Sequence, residues 1–277
     1  MAQLLRRRDN QNRPLVEPGS GLALTYFNLV RLKRGEECHL QVTGCELLAV
    51  VLSGNADLHV DEECFAAVGQ RADVWSGKAD SVYAGTGALR LCANSDSVEI
   101  AVAGGRCAEN HAPFRVTPAE VDMVQVGSNE TKSLRRIFHI LGQKQNGRAG
   151  NLLVSELYAD EGCWSGYPPH KHDTESPPEE TCFEEIYHYR FQPETGFGGQ
   201  YCYNDGQEPQ VVMTRHGDTF LIDRGYHPTS TSPGHRGYIF TILVGKHQRS
   251  LVQYFEPPHR HLMANIPGLQ AMRDKFK

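Results

Sequence analysis

Apolar residues in this chain come in short runs of Val, Ile, Leu and aromatic side chains, cut repeatedly by Gly and Pro. Some runs alternate with polar residues and others are continuous, but they have strand length and are bounded by turn residues, so they predict β-strands. The predicted strands are 47–52, 56–60, 89–92, 98–102, 152–158, 185–191, 200–203, 211–214, 219–222 and 238–244. Helical spacing is weak except near the C-terminus, where 268–276 predicts a short helix. Thr117-Pro118-Ala119-Glu120 predicts a capped turn before Val121. With 27 Gly and 15 Pro as punctuation, the pattern is that of an all-β protein.

The two halves of the chain resemble each other. His39-Leu40-Gln41 precedes Glu46 and the strand 47–52; His170-Lys171-His172 precedes Glu185 and the strand that begins there. The second half carries an extra loop, 173–182, rich in Pro, Glu and Thr. Further on, Tyr83-Ala84-Gly85-Thr86-Gly87 takes the place of Arg224-Gly225-Tyr226-His227, without the histidine. This predicts two tandem β-barrels, residues 1–116 and 117–277, with a boundary near 104–117 and a polar loop at 142–150. Only the second keeps a full set of metal-binding side chains, which leaves packing or dimerisation to the first and predicts a homo-oligomer.

Composition narrows the partners. A chain of 277 residues with 39% hydrophobic content can bury a substantial core. Its net charge of -5 provides no electrostatic attraction for nucleic acid. Arg6-Arg7-Arg8 is followed by Asp9-Asn10-Gln11, where a secretory signal would need an apolar core, and no run is long enough to span a membrane. The eight cysteines (Cys38, Cys45, Cys64, Cys92, Cys107, Cys163, Cys182, Cys202) include no CxxC pair. They are expected to be reduced thiols of a cytoplasmic protein.

The chemistry concentrates in Pro168-Pro169-His170-Lys171-His172, Phe183-Glu184-Glu185-Ile186-Tyr187 and Gly225-Tyr226-His227-Pro228. Histidines two apart on a strand share a face. Two imidazoles, a carboxylate from a neighbouring strand and a third His after a Gly turn suit a divalent metal. Zinc is the first expectation, with Mn, Fe or Ni as alternatives. The predicted ligands are His170, His172, Glu185 and His227, a set that leaves coordination positions open for a substrate. A second HxH, His259-Arg260-His261, has no Glu or third His after it and reads as a surface or interface feature. The basic run Lys132-Ser133-Leu134-Arg135-Arg136 likewise reads as a solvated face or interface.

These motifs resemble the 5-deoxy-glucuronate isomerase family of inositol catabolism. The resemblance is carried by Leu152-Leu153-Val154-Ser155-Glu156, by Trp164 through Asp173, by Glu184-Glu185-Ile186-Tyr187, by Gln192 through Phe197, and by Arg224-Gly225-Tyr226-His227-Pro228. The related 5-keto-4-deoxyuronate isomerases share the HxH, the Glu and the late His. The resemblance implies a bicupin, two jelly-roll barrels with the metal in the second, and a sugar acid as substrate. Its implied reaction is the aldose–ketose conversion of 5-deoxy-D-glucuronate to 5-dehydro-2-deoxy-D-gluconate. The chain departs from the family pattern at Tyr187-His188-Tyr189 and at 239–245, which leaves room for a related sugar acid.

Such a reaction needs an acid/base and a cation for the substrate carboxylate. Tyr187 shares strand parity with Glu185 and is a candidate proton donor; Glu156, in an apolar strand, is a candidate base. Arg224 is the first candidate for the carboxylate, ahead of Arg190 and Arg236. Tyr226 in the same turn and Lys171 between the two ligands complete the substrate-binding candidates. The competing readings are a cupin dioxygenase or oxidase and a sugar-binding cupin.

Overall fold

The computed structural model describes residues 3–204 and 206–275. It is nearly all-β, and the helical segments among the described residues are Gln143–Gln145, Pro257–Ala264 and Leu269–Arg273. Every predicted strand is present. Ala56–Val60 and Thr219–Ile222 have the expected bounds, and most others are longer, as 98–102 grows into Ser97–Arg106. The strands Thr25–Lys33, Asp80–Gly85 and Arg135–Leu141 escape prediction because buried polar residues (Asn28, Asp80, Arg135) interrupt their apolar pattern. The expected helix at 268–276 is Leu269–Arg273, with Phe276 outside the described residues. The turn at 117–120 closes as predicted, with the Thr117 hydroxyl donating to Glu120 at 2.7 Å.

The chain divides into two compact units. One comprises Asp9–Asp122 with Lys144–Leu153. The other comprises the N-terminal residues up to Arg8, Met123–Gln143 and everything from Val154 onward. A single cut between 116 and 117 does not describe this division. The strand Gln3–Leu5 pairs antiparallel with Thr219–Ile222, and so the first residues belong with the last barrel.

In the unit built mainly from the first half, a five-stranded sheet runs in the order Phe114–Val116, Asp80–Gly85, Cys45–Ser53, Ser97–Arg106, Thr25–Lys33. A four-stranded sheet follows the order Glu37–Leu40, Leu89–Ala93, Ala56–Val60, Glu63–Val68. Val30, Leu47 and Val51 of the first sheet join Leu58, Leu89 and Leu91 of the second in one core. Each such side chain contributes about 1.5–3 kcal/mol by leaving water. This is the double-sheet jelly roll, in which central strands read as continuous apolar runs and outer ones alternate.

The other unit repeats the plan. Its seven-stranded sheet has the order Gln3–Leu5, Thr219–Ile222, Phe183–Gln192, Arg236–Gly245, Leu152–Ala159, Arg135–Leu141, Asp122–Val126. A four-stranded sheet (Trp164–Ser165, Thr229–Thr231, Phe197–Cys202, Gln210–Arg215) lies opposite, and Tyr187, Tyr189, Phe191, Phe220, Ile222 and Ile239 pack with Cys202 and Val212 between them. Glu185 lies across from Leu243 and Tyr187 across from Thr241, so these four side chains share the inner face. The chain is therefore a bicupin. All eight cysteines are free thiols, and among the described residues no helix is long and apolar enough to cross a membrane.

Candidate metal centre

Two ring nitrogens and a carboxylate meet inside the second unit, a third imidazole stands beside them, and the backbone dictates which atoms face each other. The Nδ1 of His170 lies 3.1 Å from the Pro168 carbonyl, that of His172 3.1 Å from the Phe183 carbonyl, and that of His227 2.7 Å from the Gly225 carbonyl. A carbonyl can only accept, so each Nδ1 carries the proton and each Nε2 presents a lone pair. This is the arrangement by which outer partners orient metal-binding histidines.

The lone pairs of His172 and His227 point at one oxygen. Glu185 Oε2 is 3.1 Å from His172 Nε2 and 3.2 Å from His227 Nε2, and all three side chains are buried. Donor atoms about 2.1 Å from a common cation stand roughly 3.0–3.4 Å apart at angles between square and tetrahedral. The observed spacings fall in that window. His227 Nε2 has no hydrogen-bond partner among the described residues although it is buried, and a lone pair so placed fits a metal ligand. Among the described residues, His172, Glu185 and His227 are the group able to hold a metal.

Electrostatics agrees. Burial alone would lift the Glu185 carboxyl, but the two imidazoles hold it down to about 2. Burial works against a charged His172, yet Glu185 more than reverses this and raises its pKa. His170 is pushed well below its ordinary range by burial, then by the other two imidazoles. The pocket thus favours positive charge between Glu185 and His172 and a neutral ring at His170. His170 stands beside the trio, its ring 5.0 Å from that of His227, with Nε2 accepting from the Gln253 amide at 3.0 Å.

Asp173 links the loops that carry these candidate ligands. Its Oδ2 accepts the Gly225 N–H at 2.8 Å, and its Oδ1 pairs with Lys171 at 2.6 Å. Gly225 has φ +89°, and an added Cβ would lie 2.8 Å from the Tyr203 carbonyl, so only glycine turns the chain toward His227 here. Burial raises the Asp173 pKa, but Lys171 and the Gly225 N–H bring it down to about 2. A depressed carboxyl stabilises fully above its ordinary value of about 3.9, and that contribution is lost as pH falls through the lower value. Asp173→Asn is expected to weaken the binding of added zinc at the candidate site by about 10–100-fold, read by competition with a chromophoric chelator. Unchanged affinity would show that the clamp does not position the ligands.

The cavity that His170, His172 and Glu185 face is lined also by Arg135, Ile137, Ser155, Leu157, Tyr187 and Thr241, with Leu243, Leu251, Gln253 and Met272. Tyr187 is placed as strand parity predicts. The other six candidates do not line the cavity. Ser155 and Leu157 face the cavity, so Glu156 between them faces the far side of the sheet, where the Tyr238 hydroxyl donates to it at 2.9 Å. Arg224 is exposed and pairs with Asp223 at 3.0 Å. Lys171 is held by Asp173 and Glu180 and caps the Tyr254 ring. Tyr226 packs on Tyr203, ring centroids 5.4 Å apart, and does not line the cavity. Arg236 lies at the surface, bonded to Gln192, and Arg190 has the outward parity of its strand. Sequence reasoning missed Arg135 and Gln253. The alternation Arg135, Ile137, His139 was the available signal for the first, hidden by its place in a basic run.

In the first unit the corresponding residues do other work. His39 is exposed, 3.5 Å from Glu37. Glu46 is fully buried and accepts from the Tyr83 hydroxyl at 2.7 Å and from the backbone N–H groups of Gly150 and Leu152, each at 2.9 Å. It is a structural carboxylate. The second HxH lies in the segment Pro257–Ala264, where His259 stands 3.2 Å from Glu256.

The KduI/IolB family model matches residues 4–262 of the chain. The 5-deoxy-glucuronate isomerase of Geobacillus thermodenitrificans (strain NG80-2) is 31% identical over 221 residues, covering 79% of each chain. That of Listeria innocua is 27% identical over 277 residues, covering 95% of this chain and 99% of its own. An IolB-like protein from Salmonella typhimurium LT2 superposes with a TM-score of 0.87 at 27% identity, over 94% of this chain and 98% of that one. An oxalate decarboxylase from Lactobacillus farciminis, 12% identical with a TM-score of 0.61 over 92% of this chain and 84% of its own, shares the fold.

Proposed function

The chain belongs to the KduI/IolB family, and on that premise we propose that it is a metal-dependent isomerase converting 5-deoxy-D-glucuronate to 5-dehydro-2-deoxy-D-gluconate in inositol catabolism. The observation that carries the metal dependence is the convergence of His172, His227 and Glu185 on one point, with an orphaned buried Nε2. His172, Glu185 and His227 hold the divalent cation, zinc first, and His170 completes the set where Gln253 gives way. When bound, the cation supplies Lewis-acid stabilisation to the oxygens of an α-hydroxy aldehyde.

The protein's own groups account for the remaining demands. The reaction removes a proton from C2 and returns one to C1 through an enediolate, so negative charge grows on O1 and O2. Tyr187, on the wall beside Glu185, carries a neutral phenol because burial and then the Glu185 charge raise its pKa well above the ordinary value. A neutral phenol donates its proton or a hydrogen bond to the developing oxyanion. Ser155 and Thr241 offer hydroxyls to the sugar, while Ile137, Leu157 and Leu243 keep the site dry and so strengthen each polar contact.

The test is NMR-monitored incubation of the purified protein with 5-deoxy-D-glucuronate in deuterated buffer under argon, with and without chelator. The ketose signal and deuterium at C1 are expected without chelator and absent with it. Turnover that requires oxygen would favour oxidase chemistry, and binding without exchange at C1 or C2 would favour a sugar-binding protein.

A further inference from the structure

Arg135 is among the most deeply buried large side chains in the protein, and it lies on the wall of the metal cavity. Its Nη1 donates to the Ser133 carbonyl at 2.9 Å and its Nη2 to the Tyr167 carbonyl at 2.7 Å. No carboxylate pairs with it among the described residues. A guanidinium has five N–H donors, so one on each terminal nitrogen remains, as does the Nε–H. Burying a cation with no counter-ion is costly enough that proteins rarely retain one without use. Burial lowers its pKa to about 10, which still leaves it charged at neutral pH.

Resting on the isomerase reading, we propose that Arg135 binds the carboxylate at the far end of the sugar acid and thereby selects uronates over neutral sugars. The residue enters the cavity from the strand Arg135–Leu141, on the same face as Ile137 and as Leu157 and Ser155 across from Ile137 and His139. Glu185 and Tyr187 enter from Phe183–Gln192, with the strands Arg236–Gly245 and Leu152–Ala159 lying between. The cation-holding groups and the guanidinium therefore stand on separate parts of one wall, as a linear substrate with an aldehyde at one end and a carboxylate at the other requires. A planar fork suits a carboxylate better than an ammonium does. The two bonds to backbone carbonyls fix the fork before substrate arrives.

The bond to Tyr167 also gives Arg135 a structural role near the ligand-bearing loop, and the experiment separates the two. Steady-state kcat/KM is measured for 5-deoxy-D-glucuronate and for 5-deoxy-D-glucose, whose C6 is a primary alcohol, with wild type, Arg135→Met and Arg135→Lys. Wild type is expected to prefer the uronate by at least about 1,000-fold. In Arg135→Met that ratio is expected to fall by about 100-fold, and in Arg135→Lys by about 10-fold, so that the second variant decides if the first does not fold. Equal loss on both sugars, with the ratio preserved, would overturn the assignment and leave Arg135 as a support for the Tyr167 loop. Calorimetry of zinc-loaded protein with D-glucuronate reads the same site without turnover. Binding weakened at least about tenfold in Arg135→Lys supports the anchor, and unchanged binding overturns it. Absence of turnover by wild type alongside Arg135-dependent glucuronate binding would sink the isomerase reading alone.

Discussion

His172→Ala is expected to reduce kcat/KM by roughly 1,000-fold or more while leaving the protein folded. A bound Lewis acid supplies several kcal/mol of transition-state stabilisation, and each 1.36 kcal/mol is about tenfold in rate. Removing His172 takes away one of the two nitrogens that stand 3.1 and 3.2 Å from Glu185 Oε2. What remains at that point is one imidazole and one carboxylate, with His170 beside them, a weaker set that a chelator strips more readily. The structural loss is the hydrogen bond from Nδ1 to the Phe183 carbonyl, the pairing of Nε2 with Glu185 and part of a ring contact. That costs about 3–5 kcal/mol, which the core between the two sheets absorbs. Metal content by plasma mass spectrometry, circular dichroism and NMR turnover check the three parts. Full turnover by a metal-free variant would remove the cation from the reaction.

Tyr187→Phe is the second large effect, expected to lower kcat by about 100–1,000-fold with little change in KM or metal content. The phenylalanine ring keeps the edge contact with Tyr189, centroids 6.1 Å apart, and the packing against Phe220 and Ile222. Only the hydroxyl is lost, so the change isolates proton or hydrogen-bond donation. Because burial raises the Tyr187 pKa well above 10, its ionisation should leave no basic limb in the wild-type kcat profile across the neutral range. A kcat within about threefold of wild type would make Tyr187 a core aromatic and nothing more.

The candidate ligand set was legible before the structure because metal binding needs particular atoms at particular spacings. His170, His172, Glu185 and His227 are strong donors separated by strand and turn lengths, and the same motifs carry the family resemblance. Parity along one strand also served well, since Glu185, Tyr187 and Tyr189 must share a face. The apolar setting that made Glu156 a candidate says that its carboxylate is buried but not which face of the sheet it meets. That is settled by the pairing of Leu152–Ala159 with Arg135–Leu141, where Ser155 and Leu157 turn inward and Glu156 finds Tyr238 instead.

The cations show the same division. Arg224 adjoins the Gly-Tyr-His turn in sequence yet is exposed beside Asp223, whereas Arg135, 50 residues before Glu185, is buried in the cavity wall. Glu46 matches Glu185 in sequence order, but its carboxylate is taken up by the backbone of Gly150 and Leu152. The amino-acid sequence by itself determined an all-β duplicated fold and named four candidate metal-ligating side chains, three of which the structure gathers at one point, since strand periodicity and donor chemistry are local properties. Only the tertiary structure decided which charged groups enter the cavity. Burial and pairing of a charge depend on segments brought together from far along the chain, and no local pattern records them.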